Sequence, residues 1–106
     1  MTVYVDNAGI PATAGRHTSR WSHLTADTKD ELHAFADQLG LRRSYYQTCK
    51  AAKICPPERC PHWHYDVTAG KREQALRLGA EPIDIRELGD IIRTRRAAMR
   101  AEADHG

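Results

Sequence analysis

The sequence predicts a small single-domain α/β fold: a short mixed sheet, about three helices and a Cys/His-rich loop. Three observations predict it. Short β-prone runs alternate with stretches of helical apolar period, as at Val3–Val5 and Leu32–Leu39. Two helical stretches open on capping boxes, Thr28 with Glu31 and Asp84 with Glu87. The chain has 106 residues, 41% hydrophobic and 28% charged, which supports one modest core and leaves no room for a second.

Thr2-Val3-Tyr4-Val5-Asp6 reads as the first strand, stopped by Asn7, Ala8, Gly9 and Pro11, with Asp6 at its carboxyl end. From Gly9 to Ser22 no apolar period is visible, so this stretch is expected to be a loop carrying Arg16, His17, Arg20 and Trp21. The first helix follows its capping box and stops at Gly40; Leu32, Phe35, Ala36 and Leu39 form its apolar stripe, with His33 on the flank. Ser44 to Gln47 is expected to be a short strand with Tyr45 and Tyr46 on opposite faces. After the proline-broken, Cys-rich loop, His62 to Thr68 reads as a strand. There His62, His64 and Asp66 point one way and Trp63, Tyr65 and Val67 the other. Thr68 caps a second helix from about Gly70 to Leu78, closed by Gly79, with Ala75, Leu76 and the Arg72 stem on its inner face. Pro82 to Ile85 is a short strand candidate. A last helix runs from Ile85 to about Ala103, burying Leu88, Ile91 and Ile92, and residues 94–106 form a basic tail expected to fray. No repeat is present.

The net charge of +2 is too small to imply nucleic-acid binding by itself, although Arg93, Arg95, Arg96 and Arg100 crowd the C-terminal helix. No apolar run is long enough to span a membrane, and the first residues lack a signal-peptide pattern, so a cytoplasmic location is expected. Three cysteines cannot all pair within one chain, which points to ligands or free thiols rather than a disulfide framework.

Three constellations carry chemistry. Cys49, Cys55, Cys60 and His64 are spaced C-x5-C-x4-C-x3-H, a Cys3His set of the kind that closes around zinc, with His62 as the alternative fourth ligand. A second set is polar: Asp6, His23, Asp27, His33, His64 and Asp66 are residues that together hold a divalent ion able to activate water, if the fold brings them into one cleft. The bland alternative is that Asp27 caps the helix, His23 and His33 satisfy backbone groups, and Asp66 pairs with Arg72. His64 belongs to both sets and cannot serve both, so giving His62 to the thiols frees His64 for the second. The third set is basic and aromatic. Arg16, Arg20, Trp21, Arg42 and Arg43 lead it, with Tyr45, Tyr46, Lys50, Lys53, Arg59 and Trp63 beside them, a mixture suited to stacking bases and pairing phosphates. No phosphate-binding glycine loop, nucleophile elbow or dinucleotide fingerprint is present.

Several segments together resemble the small phage and bacterial family called domain of unknown function 4031. They are Val3-Tyr4-Val5-Asp6, Trp21-Ser22-His23-Leu24, Ala26-Asp27-Thr28 and Glu31-Leu32-His33-Ala34-Phe35-Ala36, with Leu39-Gly40 and Tyr46-Gln47. His64-Tyr65-Asp66-Val67-Thr68, Lys71-Arg72, Ala75, Gly79-Ala80 and Arg86-Glu87-Leu88 complete them. The resemblance implies a compact stand-alone domain and no known activity. Relatives are expected to join the Gln to the His-Tyr-Asp triplet by a short link, so residues 49–62 look like a Cys-rich insert.

The leading expectation is an α/β domain with a zinc-stapled loop that binds nucleic acid or a nucleotide, and that modulates a host protein in the phage setting the resemblance implies. The alternative is a metal-dependent phosphoester hydrolase or nuclease using Asp6, His23, His33 and Asp66. A second alternative is a protein-binding factor anchored by the tyrosines and Trp63.

Overall fold

Glycine and cross-strand pairing, not apolar alternation, shape the N-terminal third. The computed structural model describes residues 2–51 and 53–105. Strand β1 (Val3–Val5) is followed by a hairpin of β2 (Ile10–Ala14) and the long β3 (His17–Ala26), where a loop was expected from Gly9 to Ser22. All of β2 is exposed and Pro11 breaks its β character, so no buried period marked it. Gly15 at φ 59 makes the tight turn, and the Thr13 and Thr18 hydroxyls bond across the strands at 2.8 Å.

Helix α1 (Lys29–Gln38) begins where the sequence places it, with Thr28 Oγ1 accepting from the Glu31 N–H. It ends in a Schellman turn: Gly40 N–H donates to Asp37 O, Leu41 N–H donates to Ala36 O, and Gly40 takes φ 74. That turn sends the chain back across the sheet. The expected strand at Ser44–Gln47 is instead a 3-10 turn, Arg43–Tyr45, followed by β4 (Tyr46–Gln47). After the Cys-rich loop come β5 (His64–Val67), α2 (Ala69–Arg77, capped by Thr68), β6 (Glu81–Pro82) and α3 (Ile85–His105). The short strand thus overlaps the expected Pro82–Ile85 stretch only at Pro82. The Asp84 and Glu87 side chains each accept from the other's backbone N–H, a reciprocal capping box.

The sheet is mixed, in the order β4-β5-β3-β1-β6 with β2 on β3; among the described residues only β1 and β6 run parallel. Register divides it into two faces. Val5, Leu24, Tyr65 and Val67 face α1 and α2 and pack with Leu32, Ala36 and Ala75 in the core. The other face receives His23, Gln47, His64 and Asp66, because His23 pairs with Asp66 and Gln47 with His64.

Leu88, Ile91 and Ile92 of α3 are half-buried rather than fully buried. Arg95 ties that helix to the sheet. It donates to Pro61 O at 2.9 Å, Ala26 O at 2.7 Å and Thr25 Oγ1 at 2.6 Å, and its guanidinium lies 3.5 Å over the Trp63 ring. Among the described residues no helix is long and apolar enough to cross a membrane.

Candidate metal centres

Asp6, just past β1, is 0% exposed. Its carboxylate accepts from the backbone N–H groups of His23 at 2.8 Å and Ala8 at 3.2 Å, and meets His23 Nδ1 at 2.7 Å. A carboxylate facing Nδ1 fixes the ring: Nδ1 carries the proton and Nε2 presents its lone pair. His64 is fixed in the same sense, since its Nδ1 lies 2.6 Å from the His62 carbonyl oxygen, which can only accept. Both Nε2 atoms turn toward Asp66 Oδ1, at 3.2 Å from His64 and 4.0 Å from His23, with the rings 5.1 Å apart. Gln47 Nε2 holds the other Asp66 oxygen at 2.7 Å.

Two imidazole lone pairs and a carboxylate oxygen therefore converge, their atoms within 4.8 Å of one another, with each Nδ1 already committed. Acceptors facing acceptors need a cation between them, either a proton or a metal. Three protein ligands would leave further coordination positions open. The electrostatics agree. The hydrogen bond that His23 donates to Asp6 raises the His23 pKa, against an opposing effect of burial, and the charges of Asp6 and Asp66 add to the rise. Burial pushes the Asp6 and Asp66 carboxyls up. The bonds from His23 in one case and from His64 and Gln47 in the other outweigh it, and both are held below the ordinary range.

The second centre is the thiol cluster. Cys55 lies in a turn closed by its own N–H on Ala51 O, and Cys60 follows the 3-10 turn Pro57–Arg59. Cys49 Sγ lies 3.0 Å from His62 Nδ1 and Cys60 Sγ 3.8 Å from it. Cys49, Cys55, Cys60 and His62 offer four ligand atoms within 4.8 Å of each other, close to the roughly 3.8 Å edge of a zinc tetrahedron with sulfur bonds of about 2.3 Å. The fourth corner is thus His62, and His64 falls to the other set. Cys60 is 0% exposed and its sulfur accepts from the Cys49 and His62 N–H groups, both at 3.3 Å. Burial raises the Cys60 thiol, but those N–H groups and the neighbouring thiols bring it below its ordinary value. Burial and the adjacent thiols push Cys49 up to about 12. Thiols crowded this way ionise together only around a cation. All three cysteines are free of disulfides.

A cleft of about 970 Å³ opens over the first centre, with His23, Gln47 and Asp66 in its lining. The hairpin supplies one wall with Arg16 and Trp21, and the segment after Gly40 supplies the other with Arg42 and Tyr45, the latter 50% exposed. Lys71 joins the rim while donating to Leu39 O at 2.6 Å.

The remaining sequence candidates fall elsewhere. His33 bonds the Tyr65 hydroxyl at 2.8 Å, and Tyr65 projects from the opposite face to His64 and Asp66. Asp27 accepts from the Tyr4 hydroxyl and the Thr2 N–H rather than capping α1, which Thr28 does. Arg72 does not pair with Asp66; its Nε donates to the Asp6 carbonyl at 2.8 Å. Arg20 reaches back to Gly9 O, and Arg43 lies outside the cleft lining. Sequence reading missed Gln47 and Lys71 as cleft residues, although both lie in the segments that carry the family resemblance.

A family model described as protein of unknown function (DUF4031) matches residues 3–95. No curated protein and no solved structure matches the chain.

Proposed function

Because the chain belongs to the DUF4031 family, whose description assigns no activity, we propose its function from its own side chains: a metal-dependent hydrolase of phosphoesters in a nucleotide or a single nucleic-acid strand. The carrying observation is the pair of histidines, His23 and His64, each with Nδ1 tied off and Nε2 turned onto the same oxygen of Asp66; His23 and Asp66 line a cleft that arginine and lysine rim, and His64 lies beside them outside its lining. His23, His64 and Asp66 hold the ion, and Asp6 and Gln47 orient the ligands. A divalent ion held by two imidazoles and a carboxylate supplies a water acidified toward pKa ~7 and a Lewis acid for the phosphoryl oxygen. Arg16 and Arg42 face the phosphate, and Trp21 and Tyr45 provide stacking surfaces for a base. The thiol cluster holds zinc in a structural role, since three thiolates and His62 fill all four corners. Reduced cytoplasmic thiols suit that role.

A nucleic-acid-binding module without catalysis shares the basic, aromatic cleft and leaves the open ligand triad without a task. A factor that binds a host protein accounts for neither. The test measures metal content by elemental analysis, together with hydrolysis of bis(p-nitrophenyl) phosphate and a single-stranded oligonucleotide. Manganese or zinc should support turnover, and His64→Ala and Asp66→Asn should each lower it at least about 100-fold while the protein stays folded. Salt-sensitive oligonucleotide binding without turnover in any divalent ion would reject hydrolysis in favour of the binding module.

A further inference from the structure

One residue links the two centres. His62 commits its ring Nδ1 to the thiol cluster, its N–H to Cys60 Sγ and its carbonyl to His64 Nδ1. We infer that His62 is a positioning residue through which metal in the Cys3His cluster sets the lone pair of His64 and hence the metal affinity of the His23–His64–Asp66 centre. The inference rests on the reading above that both centres take metal.

The geometry leaves little slack. Cys60 Sγ receives N–H groups from Cys49 and His62, both at 3.3 Å, so the peptide on the amino side of His62 is bound to the sulfur that a metal would anchor. The ring of the same residue occupies the fourth corner. The ring and the N–H of His62 thus both bear on one metal-held unit, and the carbonyl on the other side of the same Cα meets His64 Nδ1, so a change in the ring's anchorage acts on the backbone torsion that aims that carbonyl. Arg95 holds the carbonyl of Pro61, in the same peptide as the His62 N–H, at 2.9 Å, so a shift on metal loss falls on the His62 ring and on the next peptide, which carries the His62 carbonyl.

The 2.6 Å contact from His64 Nδ1 is what keeps the His64 proton away from Nε2. An emptied cluster frees the His62 ring, the 62–63 peptide can turn, and His64 then loses the acceptor that chose its tautomer. Losing such an outer partner typically weakens a metal site about ten- to a hundredfold. Reciprocity follows: metal at the second centre tightens the first by the same factor.

The experiment uses manganese, which favours oxygen and nitrogen over thiolate and so reports on the second centre alone. Its affinity is measured by electron paramagnetic resonance in wild type loaded with one equivalent of zinc, enough for the thiol cluster alone, in zinc-stripped wild type and in Cys49→Ser. The hydrogen-bonded Nδ1–H of His64 is followed by NMR alongside the Tyr65 and Val67 amides. Manganese should bind about ten- to a hundredfold more weakly without zinc, with the His64 signal lost and the β5 amides retained. Equal manganese affinity with and without zinc overturns the coupling and leaves the metal-site reading standing. No manganese bound by zinc-loaded wild type overturns both. If the stripped forms unfold, replacing zinc by cadmium, with its longer bonds to sulfur, shifts the same peptide in a folded protein. Unchanged manganese affinity across that replacement would overturn the coupling equally.

Discussion

Replacing Asp6 by Asn tests whether a proton position, and not merely a shape, makes the site. The carboxylate accepts three hydrogen bonds, from the N–H groups of Ala8 and His23 and at His23 Nδ1, at 3.2, 2.8 and 2.7 Å. In Asp6→Asn the amide oxygen keeps the two backbone bonds, but the amide NH2 now faces Nδ1. The imidazole must accept there and move its proton to Nε2, which closes the lone pair meant for metal. Exchanging a charge-assisted bond for a neutral one costs about 1–2 kcal/mol of stability. In a domain of this size that lowers Tm by roughly 5–15 °C. Recovering the Nε2 lone pair means leaving the buried amide N–H without an acceptor, about 1–3 kcal/mol. Metal affinity should therefore fall roughly 5- to 150-fold, since 1.4 kcal/mol is tenfold. Calorimetric manganese titration and thermal melts measure both numbers, and 15N NMR of the imidazole reads the tautomer. Wild-type metal affinity in a folded Asp6→Asn protein would refute the reasoning.

Arg95→Met should be costly: the carbonyls of Pro61 and Ala26 lose a donor and Trp63 its stacked cation, a loss of about 3–4 kcal/mol and a drop in Tm of more than 10 °C. A Tm within 3 °C of wild type would contradict it. His33→Phe removes the bond to the Tyr65 hydroxyl on the far face of the sheet, so stability should fall by about 1 kcal/mol while metal affinity and turnover stay unchanged; a loss of metal affinity would place His33 in the site after all. In the metal-free protein His23 has a raised pKa, so its pair with Asp6 stabilises fully below the ordinary 6.5 and the gain is lost as pH rises through the raised folded value. Asp6 and Asp66 are lowered, so their contribution is present above the ordinary 3.8 and lost as pH falls through their folded values. Burial lowers the His33 and His62 pKa values and so acts in the opposite sense. The His23 contribution is therefore read from thermal melts in chelator as wild type minus His23→Gln: it should fall above about pH 6.5, and manganese affinity should rise over the same range as His23 sheds its proton; a difference that grows from pH 6 to 8 would be incompatible.

Much of the local structure was legible before any fold. Thr28 with Glu31 and Asp84 with Glu87 are short-range hydrogen-bond pairs, and Gly40 and Gly79 are stops that need a positive φ, so helix ends followed from neighbours in the chain. The alternation from Trp63 to Val67 assigned the two faces of β5 correctly, because side chains along a strand must alternate. The hairpin escaped notice since β2 buries nothing and carries Pro11, and its stabilising pairs are visible only once the strands meet.

The chain alone offered Cys49, Cys55, Cys60 and a nearby histidine as a ligand set by residue type and spacing, but an extended link between Cys49 and Cys60 could span roughly 35 Å, so only the folded loop brings the two together. Tertiary structure decided the rest of the chemistry. The antiparallel register of β3 against β5 sets His23 opposite Asp66, and β1 beside β3 brings Asp6 under His23. The same sheet sends His33 to the other side with Tyr65. Which histidine serves which centre was settled by the His62 carbonyl and the Cys49 sulfur, contacts fixed by strand pairing and loop closure rather than by spacing. Local hydrogen bonds need only adjacent residues, whereas a lone pair is aimed by partners that only the folded sheet brings within reach.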